Sequence, residues 1–96
     1  MQIGDYVIVR TFSAGVFAGI LAAEEGRVVT LHNARRLWYW SGAASLSQLA
    51  NSGTSQPMQC KFPECVPEVK LYEAIETLIV TPHARLNIEG VPVWKA

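Results

Sequence analysis

The feature that most limits the possible folds is a set of four short runs, rich in β-branched and aromatic residues, within the first forty positions. Gly15 and Gly26 lie in short breaks between them, and the pair Asn33-Ala34 is predicted to form a turn or a bulge. Strands of this length joined by short glycine-containing turns are typical of a small antiparallel sheet that curls into a barrel. The predicted strands span residues 5–10, 16–22, 27–32 and 35–40.

Two short helices are expected in the second half of the chain. Ser45 to Gln48 has the capping-box pattern, a hydroxyl residue followed three positions later by Glu or Gln, which predicts a helix over roughly 45–52. Thr81-Pro82 is the pattern of an N-cap followed by proline in the first turn, which predicts a helix over 82–88 closed by Gly90. The predicted fold is therefore mainly β (α+β): a small SH3-like antiparallel barrel with two short helices.

The segment between the two predicted helices has one ambiguity. The two prolines of Phe62–Pro67 favour an extended chain, and the residues from Pro67 onward are expected to form further strands. Leu71, Ile75 and Leu78 also fall at the i, i+4, i+7 spacing of a helix. We favour strands over 71–78, and the helix remains the alternative.

Length and composition indicate one domain, residues 1–96, that is expected to associate with copies of itself. Hydrophobic residues make up 50% of the chain and charged residues 17%, which excludes disorder. So few charges leave apolar surface exposed, and we expect a second copy to cover some of it as a homo-oligomer. The net charge of 0 argues against nucleic-acid binding, because duplex affinity draws heavily on excess positive charge.

Membrane insertion is not expected, and a cytoplasmic location is. The longest weakly polar stretch, residues 14–23, is about half of the ~20 residues that a spanning helix needs. The amino-terminal residues lack the basic start and apolar core of a signal peptide. Cys60 and Cys65 are therefore expected to be reduced, although a disulfide in an oxidising environment stays open. With only two histidines far apart in the sequence, no metal site and no cofactor are predicted.

The block Asn33–Gly42 is the one candidate site, since three of the nine aromatic and two of the eight cationic residues lie within six of its positions. On a strand, Arg36, Trp38 and Trp40 would share one face, and the neighbouring Arg35 would lie on the other. Two indoles on one face can stack a base, for roughly 1–3 kcal/mol per base, and an arginine can bind a phosphate through two hydrogen bonds. The predicted ligand-binding residues are Arg35, Arg36, Trp38, Tyr39, Trp40, Ser41, Gly42 and Ser45.

Ser41, Gly42 and Ser45 belong to this set because small residues before a helix let backbone N–H groups approach an anion. The alternative is structural: tryptophans that fill the core and arginines whose head groups reach solvent. No arrangement of nucleophile, acid and base is evident, so the chain is not expected to be an enzyme. The block also lacks the Gly-Lys-Ser/Thr ending of a phosphate-binding P-loop.

The chain resembles a family of small phage- and prophage-encoded proteins that is catalogued as a domain of unknown function. The resemblance rests on GDYVIVRT (4–11), SAGVFAG (13–19), NARRLWYWSGAASL (33–46) and VPVW (91–94). It implies a viral accessory protein in the cytosol of a bacterial host, and it supplies no catalytic residues.

Several unrelated phage families oppose host defence by sequestering nucleotide immune signals. By that analogy we expect this chain to bind and hold a nucleotide-derived signal, such as a cyclic ADP-ribose derivative or a cyclic dinucleotide, without cleaving it. The alternative is a protein-interaction module that docks on and inhibits a host or phage protein through the same aromatic residues. Binding of single-stranded nucleic acid is a third hypothesis, which the zero net charge disfavours.

Overall fold

The computed structural model describes residues 1–96. Its strands are β1 (Tyr6–Thr11), β2 (Val16–Glu25), β3 (Val28–Arg36), β4 (Val66–Leu71) and β5 (Ala74–Ile79). Its helices are α1 (Leu46–Ser52) and α2 (Pro82–Gly90), with a 3-10 turn at Pro57–Gln59. The prediction of a mainly β fold with an antiparallel sheet and two short helices is confirmed. Neither helix is long and apolar enough to cross a membrane.

The order of the strands requires the sheet to curl strongly. The order is β4-β3-β2-β1-β5, so two strands that are consecutive in the chain lie at opposite edges. In a flat sheet these edges would be about 19 Å apart, yet only Tyr72 and Glu73 connect them, a span of at most about 11 Å. At that corner the N–H of Ala74 donates to the carbonyl of Arg27, at 3.0 Å. The segment 71–78 is thus strand, turn and strand, as favoured from the sequence.

The two edges do not pair with each other, so the sheet is not closed and the predicted barrel is not confirmed. The curl is made by β2, which pairs with β1 along its first half and with β3 along most of its length. Two bulges add to the curl of this strand pair: between Ala18 and Ile20 the extra residue belongs to β3, and between Leu21 and Ala23 it belongs to β2. A long bent strand of this kind lets one sheet fold over its own apolar face.

The core has two parts, one on each face of the sheet. The concave face encloses a cluster built from strands alone, whereas the convex face is covered by both helices and the segment around Phe62. The concave cluster consists of Val7, Val9, Phe17, Leu21, Val29, Leu31, Ala34 and Leu71. The convex cluster consists of Tyr6, Ile8, Ala18, Leu37, Leu49, Ala50, Cys60, Phe62, Val80, Ala84, Ile88 and Val91.

The bulge, one of the two structures predicted at Asn33-Ala34, is confirmed, because these two residues lie opposite the single residue Gly19 of β2. The separate strand over 35–40 is wrong. β3 continues through Asn33, whose positive φ of 50° absorbs an irregularity without ending the strand. Beyond Arg36 the chain leaves the sheet, and Tyr39 makes only an isolated bridge with Lys61. The alternation of faces that holds along a strand therefore does not extend past Arg36.

Both helices begin where the capping patterns predict. The Ser45 hydroxyl accepts from the N–H of Gln48 at 3.1 Å, and the Gln48 side-chain oxygen accepts from the N–H of Ala44 at 2.8 Å. The Thr81 hydroxyl accepts from the N–H of Ala84 at 3.1 Å, and α2 runs through the glycine that was expected to close it. These caps satisfy backbone donors that would otherwise lack partners at the helix starts.

Candidate functional site

Arg35, predicted as a phosphate ligand, is a buried side chain that is only 3% exposed. Its Nε donates to the carbonyl of Pro63 at 3.0 Å, its Nη1 to Ile88 at 2.9 Å and its Nη2 to Phe62 at 3.1 Å. No carboxylate pairs with it, and burial lowers its pKa. The guanidinium therefore ties β3 to the segment 62–63 and to the carboxyl-terminal end of α2.

Arg36 points to the opposite side of the sheet, as the alternation of faces predicts. Its guanidinium carbon lies 4.6 Å from the centre of the Phe17 ring, and it forms no ion pair. The exposed side chain borders a groove of about 300 Å³ at one end of the concave face. The groove is lined by Phe17, Ala34, Arg36, Pro63, Glu64, Val66 and Val69.

Trp38 and Trp40 do not form the predicted stacking wall. Trp38 stacks instead on Trp94, with ring centres 5.2 Å apart and planes inclined by 10°. The side chains of this pair are 59% and 45% exposed, respectively. Trp40 is half-buried and packs against the convex core cluster. The prediction of a stacking wall is wrong because both tryptophans lie beyond the end of β3, where the alternation of faces along a strand no longer applies.

Lys61 completes an aromatic surface around this pair. Its Nζ lies 5.3 Å from the Trp38 ring centre, 5.6 Å from that of Trp94 and 5.7 Å from that of Tyr39. No carboxylate pairs with the ammonium group. We call Trp38, Tyr39, Lys61 and Trp94 the aromatic platform. It combines exposed rings with a cation that is free to contact an anion.

Three short extended segments hold the platform in place. The N–H of Lys61 donates to the carbonyl of Tyr39 at 2.8 Å, and the reverse bond measures 3.3 Å. On the other side, the N–H of Trp94 donates to the carbonyl of Phe62 at 3.0 Å. Sequence reasoning missed Lys61 and Trp94, since neither adjoins the Arg-Trp block in the chain. The extended VPVW segment was the one available signal.

Ser41 and Gly42 contact the segment 54–56 that follows α1, and Ser45 caps α1. The carbonyl of Ser41 accepts from the Thr54 hydroxyl, and that of Gly42 accepts from the N–H of Ser55 at 3.0 Å. Gly42 has a φ of +82°, and a Cβ there would lie 2.5 Å from the Gln56 nitrogen. None of the three is hydrogen-bonded to the platform. The close approach at Gly42 and the cap at Ser45 explain these two residues without reference to a ligand.

The potential metal ligands of the chain are dispersed. No group of three or more His, Cys, Asp or Glu side chains lies close enough to hold a metal ion. Cys60 is buried, Cys65 is exposed, and both are free thiols. The arrangement that stands out is therefore the aromatic platform with the Arg36 groove beside it.

Neither a curated protein nor a solved structure matches this chain. A family described as a domain of unknown function, DUF6948, matches residues 4–88. The match includes Arg36, Trp38, Tyr39 and Lys61, whereas Trp94 lies beyond it. The chain belongs to the DUF6948 family.

Proposed function

We propose that this protein binds a nucleotide-derived small molecule on the aromatic platform without catalysing a reaction. The observation that carries the proposal is the exposed Trp38–Trp94 pair with the unpaired ammonium of Lys61 within 6 Å of both rings. A nucleobase stacks on the outer face of the indole pair, and Lys61 binds a phosphate oxygen. Arg35 takes no part, because its donors are bound to backbone carbonyls.

The energetics favour an occupant with both a ring and a negative charge. Exposed large apolar side chains are unfavourable in the free protein. A base that stacks on them removes them from water and contributes about 1–3 kcal/mol to binding. An ammonium without a carboxylate partner gains a charge-assisted hydrogen bond when a phosphate arrives. A neutral ring would gain only the first of these contributions.

The biological setting is part of the same proposal. The resemblance to phage-encoded proteins supports a role in sequestering a nucleotide immune signal in the cytosol of a bacterial host. Sequestration needs affinity and no turnover, which agrees with a surface that has a stacking platform and a cation. We further propose that the protein acts as a homo-oligomer and that the curled sheet corresponds to an incomplete SH3-like barrel.

The test is a thermal-shift and calorimetric screen with mononucleotides, ADP-ribose, cyclic ADP-ribose and cyclic dinucleotides. Ligand at 100 times its dissociation constant stabilises the fold by about 2.7 kcal/mol. Trp38→Ala and Lys61→Met should weaken binding at least tenfold. The matched controls are Tyr72→Ala and Lys70→Met, an exposed lysine–aromatic pair outside the platform, with Nζ 5.8 Å from the ring centre. Binding that survives both platform substitutions would refute the assignment.

Docking of a protein partner is the second candidate. Neither tryptophan of the platform lines either of the two cavities on the surface. Small-molecule sites are usually concave, whereas exposed tryptophan and tyrosine are enriched among the residues that dominate protein interfaces. Trp38→Ala also distinguishes the two candidate functions. Docking would be favoured if a protein co-purifies with the wild type but not with Trp38→Ala, and if no nucleotide in the screen binds or raises the melting temperature.

A further inference from the structure

The groove beside Arg36 and the aromatic platform are built in part from the same two chain segments, residues 36–39 and 61–64. Arg36 of the groove is two residues from Trp38 of the platform, so their Cα atoms are at most about 7 Å apart. Pro63 of the groove is likewise two residues from Lys61. From this juxtaposition we infer that the ligand is a dinucleotide, with one base on the platform and the second nucleoside in the groove. This inference rests on the proposed function.

The shape and lining of the groove suit the second nucleoside. Its volume of about 300 Å³ is at the lower end of small-molecule sites, so it holds one ring system. Phe17 and Ala34 form a buried apolar floor, with Val66 and Val69 beside them. The Arg36 guanidinium lies over the Phe17 ring, and its planar outer face can stack on a base.

The groove has one rigid wall. The carbonyls of Phe62 and Pro63 are both held by the buried Arg35 guanidinium, at 3.1 and 3.0 Å. The segment that carries Pro63 and Glu64 is therefore fixed before any ligand arrives. A preformed wall reduces the entropy lost on binding. The two adjacent arginines thus have different tasks: Arg35 positions the wall, and Arg36 is exposed at the groove.

The charges match a ligand with phosphates between its two nucleosides. Arg36, which lines the groove, and Lys61, which belongs to the platform, are both free of carboxylate partners. A ligand that spans groove and platform would bring the two phosphates between its nucleosides to these two cations. Glu64, the one carboxylate that lines the groove, would repel a phosphate placed inside it. It would instead accept a hydrogen bond from an amino or hydroxyl group of the second nucleoside.

Calorimetry with matched pairs of ligands tests this inference on the full chain. The pairs are cyclic di-AMP and NAD⁺, each against AMP, and cyclic di-GMP against GMP. At least one dinucleotide should bind tenfold or more tightly than its mononucleotide. Arg36→Met should remove that advantage and leave the mononucleotide affinity within twofold of the wild type. Val66→Phe, which fills the groove from a half-exposed position, should have the same effect.

The outcomes separate this inference from the proposed function. If a mononucleotide binds and depends on Trp38, but every dinucleotide binds no more tightly, the two-site ligand is wrong and the platform assignment stands. The same conclusion follows if the dinucleotide advantage survives both Arg36→Met and Val66→Phe. If no nucleotide of either kind binds, the proposed function is wrong, and this inference is wrong with it.

Discussion

Replacing Arg35 by methionine removes three hydrogen bonds at once and leaves the carbonyls of Phe62, Pro63 and Ile88 without their donor. Because Arg35 is almost fully buried, water does not readily replace it. The substitution also removes the hydrogen bond that connects β3 to α2. We therefore expect Arg35→Met to be among the most destabilising single substitutions outside the apolar core.

The magnitude follows from the bonds that are lost. A hydrogen bond that involves a charged group contributes about 1.5–3 kcal/mol, so three bonds at the lower end amount to about 4–5 kcal/mol. Methionine recovers part of this, because a buried guanidinium without a carboxylate carries a desolvation cost of several kcal/mol. We expect a net loss of about 2–4 kcal/mol in the free energy of unfolding.

The assay is urea unfolding followed by tryptophan fluorescence, with Arg36→Met as the control next to it in the chain. With a slope of about 1.5 kcal/mol per molar urea, the loss lowers the midpoint by roughly 1–3 M. Arg36 is exposed and contributes a cation–π contact worth about 0.5–1 kcal/mol, so its removal should shift the midpoint by less than about 0.7 M. If the two variants unfold at the same urea concentration, the assignment of Arg35 as the connecting residue is refuted.

Two further predictions concern pH and backbone geometry. Burial, followed by repulsion from Glu89, raises the pKa of Tyr6 to about 12, whereas the unfolded chain loses this proton near pH 10. The free energy of unfolding should therefore be unaffected by this group below pH 10 and fall by roughly 2–3 kcal/mol towards pH 12. Tyr6→Phe should abolish this fall when the urea midpoint is measured against pH. Gly42→Ala places a Cβ 2.5 Å from the Gln56 nitrogen, whereas Gly15→Ala, also at positive φ, meets no atom within 4 Å. Thermal denaturation should show Gly42→Ala to be the less stable variant by at least about 1 kcal/mol, and equal losses would argue against a close approach.

The helices could be predicted from the sequence because the chemistry that starts them is local. Ser45 with Gln48, and Thr81 with Pro82, need only their immediate neighbours to form a cap. The opposite directions of Arg35 and Arg36 were predictable for the same reason, since alternation is a property of any strand. Which of the two is buried was not predictable, because it depends on carbonyls that other segments bring to β3.

The platform could be predicted only in part. Trp38 and Tyr39 were in the predicted site, but the partner of Trp38 comes from the carboxyl-terminal segment, and its cation comes from residue 61. The predicted pairing with Trp40 failed because β3 ends at Arg36. The point at which the chain leaves the sheet therefore determines which aromatic residues are exposed together, and local sequence does not predict that point.

The position of β1 between β2 and β5 has a consequence for synthesis on the ribosome. Val7 pairs with Ile79, so one side of the amino-terminal strand has no partner until most of the chain has been made. Pairings this distant in sequence are slow to form. A nascent or truncated chain that ends before β5 would expose an apolar strand edge, Tyr6–Val9, of the kind that promotes aggregation. Pairing with β5 thus covers the edge of β1 and prevents its self-association.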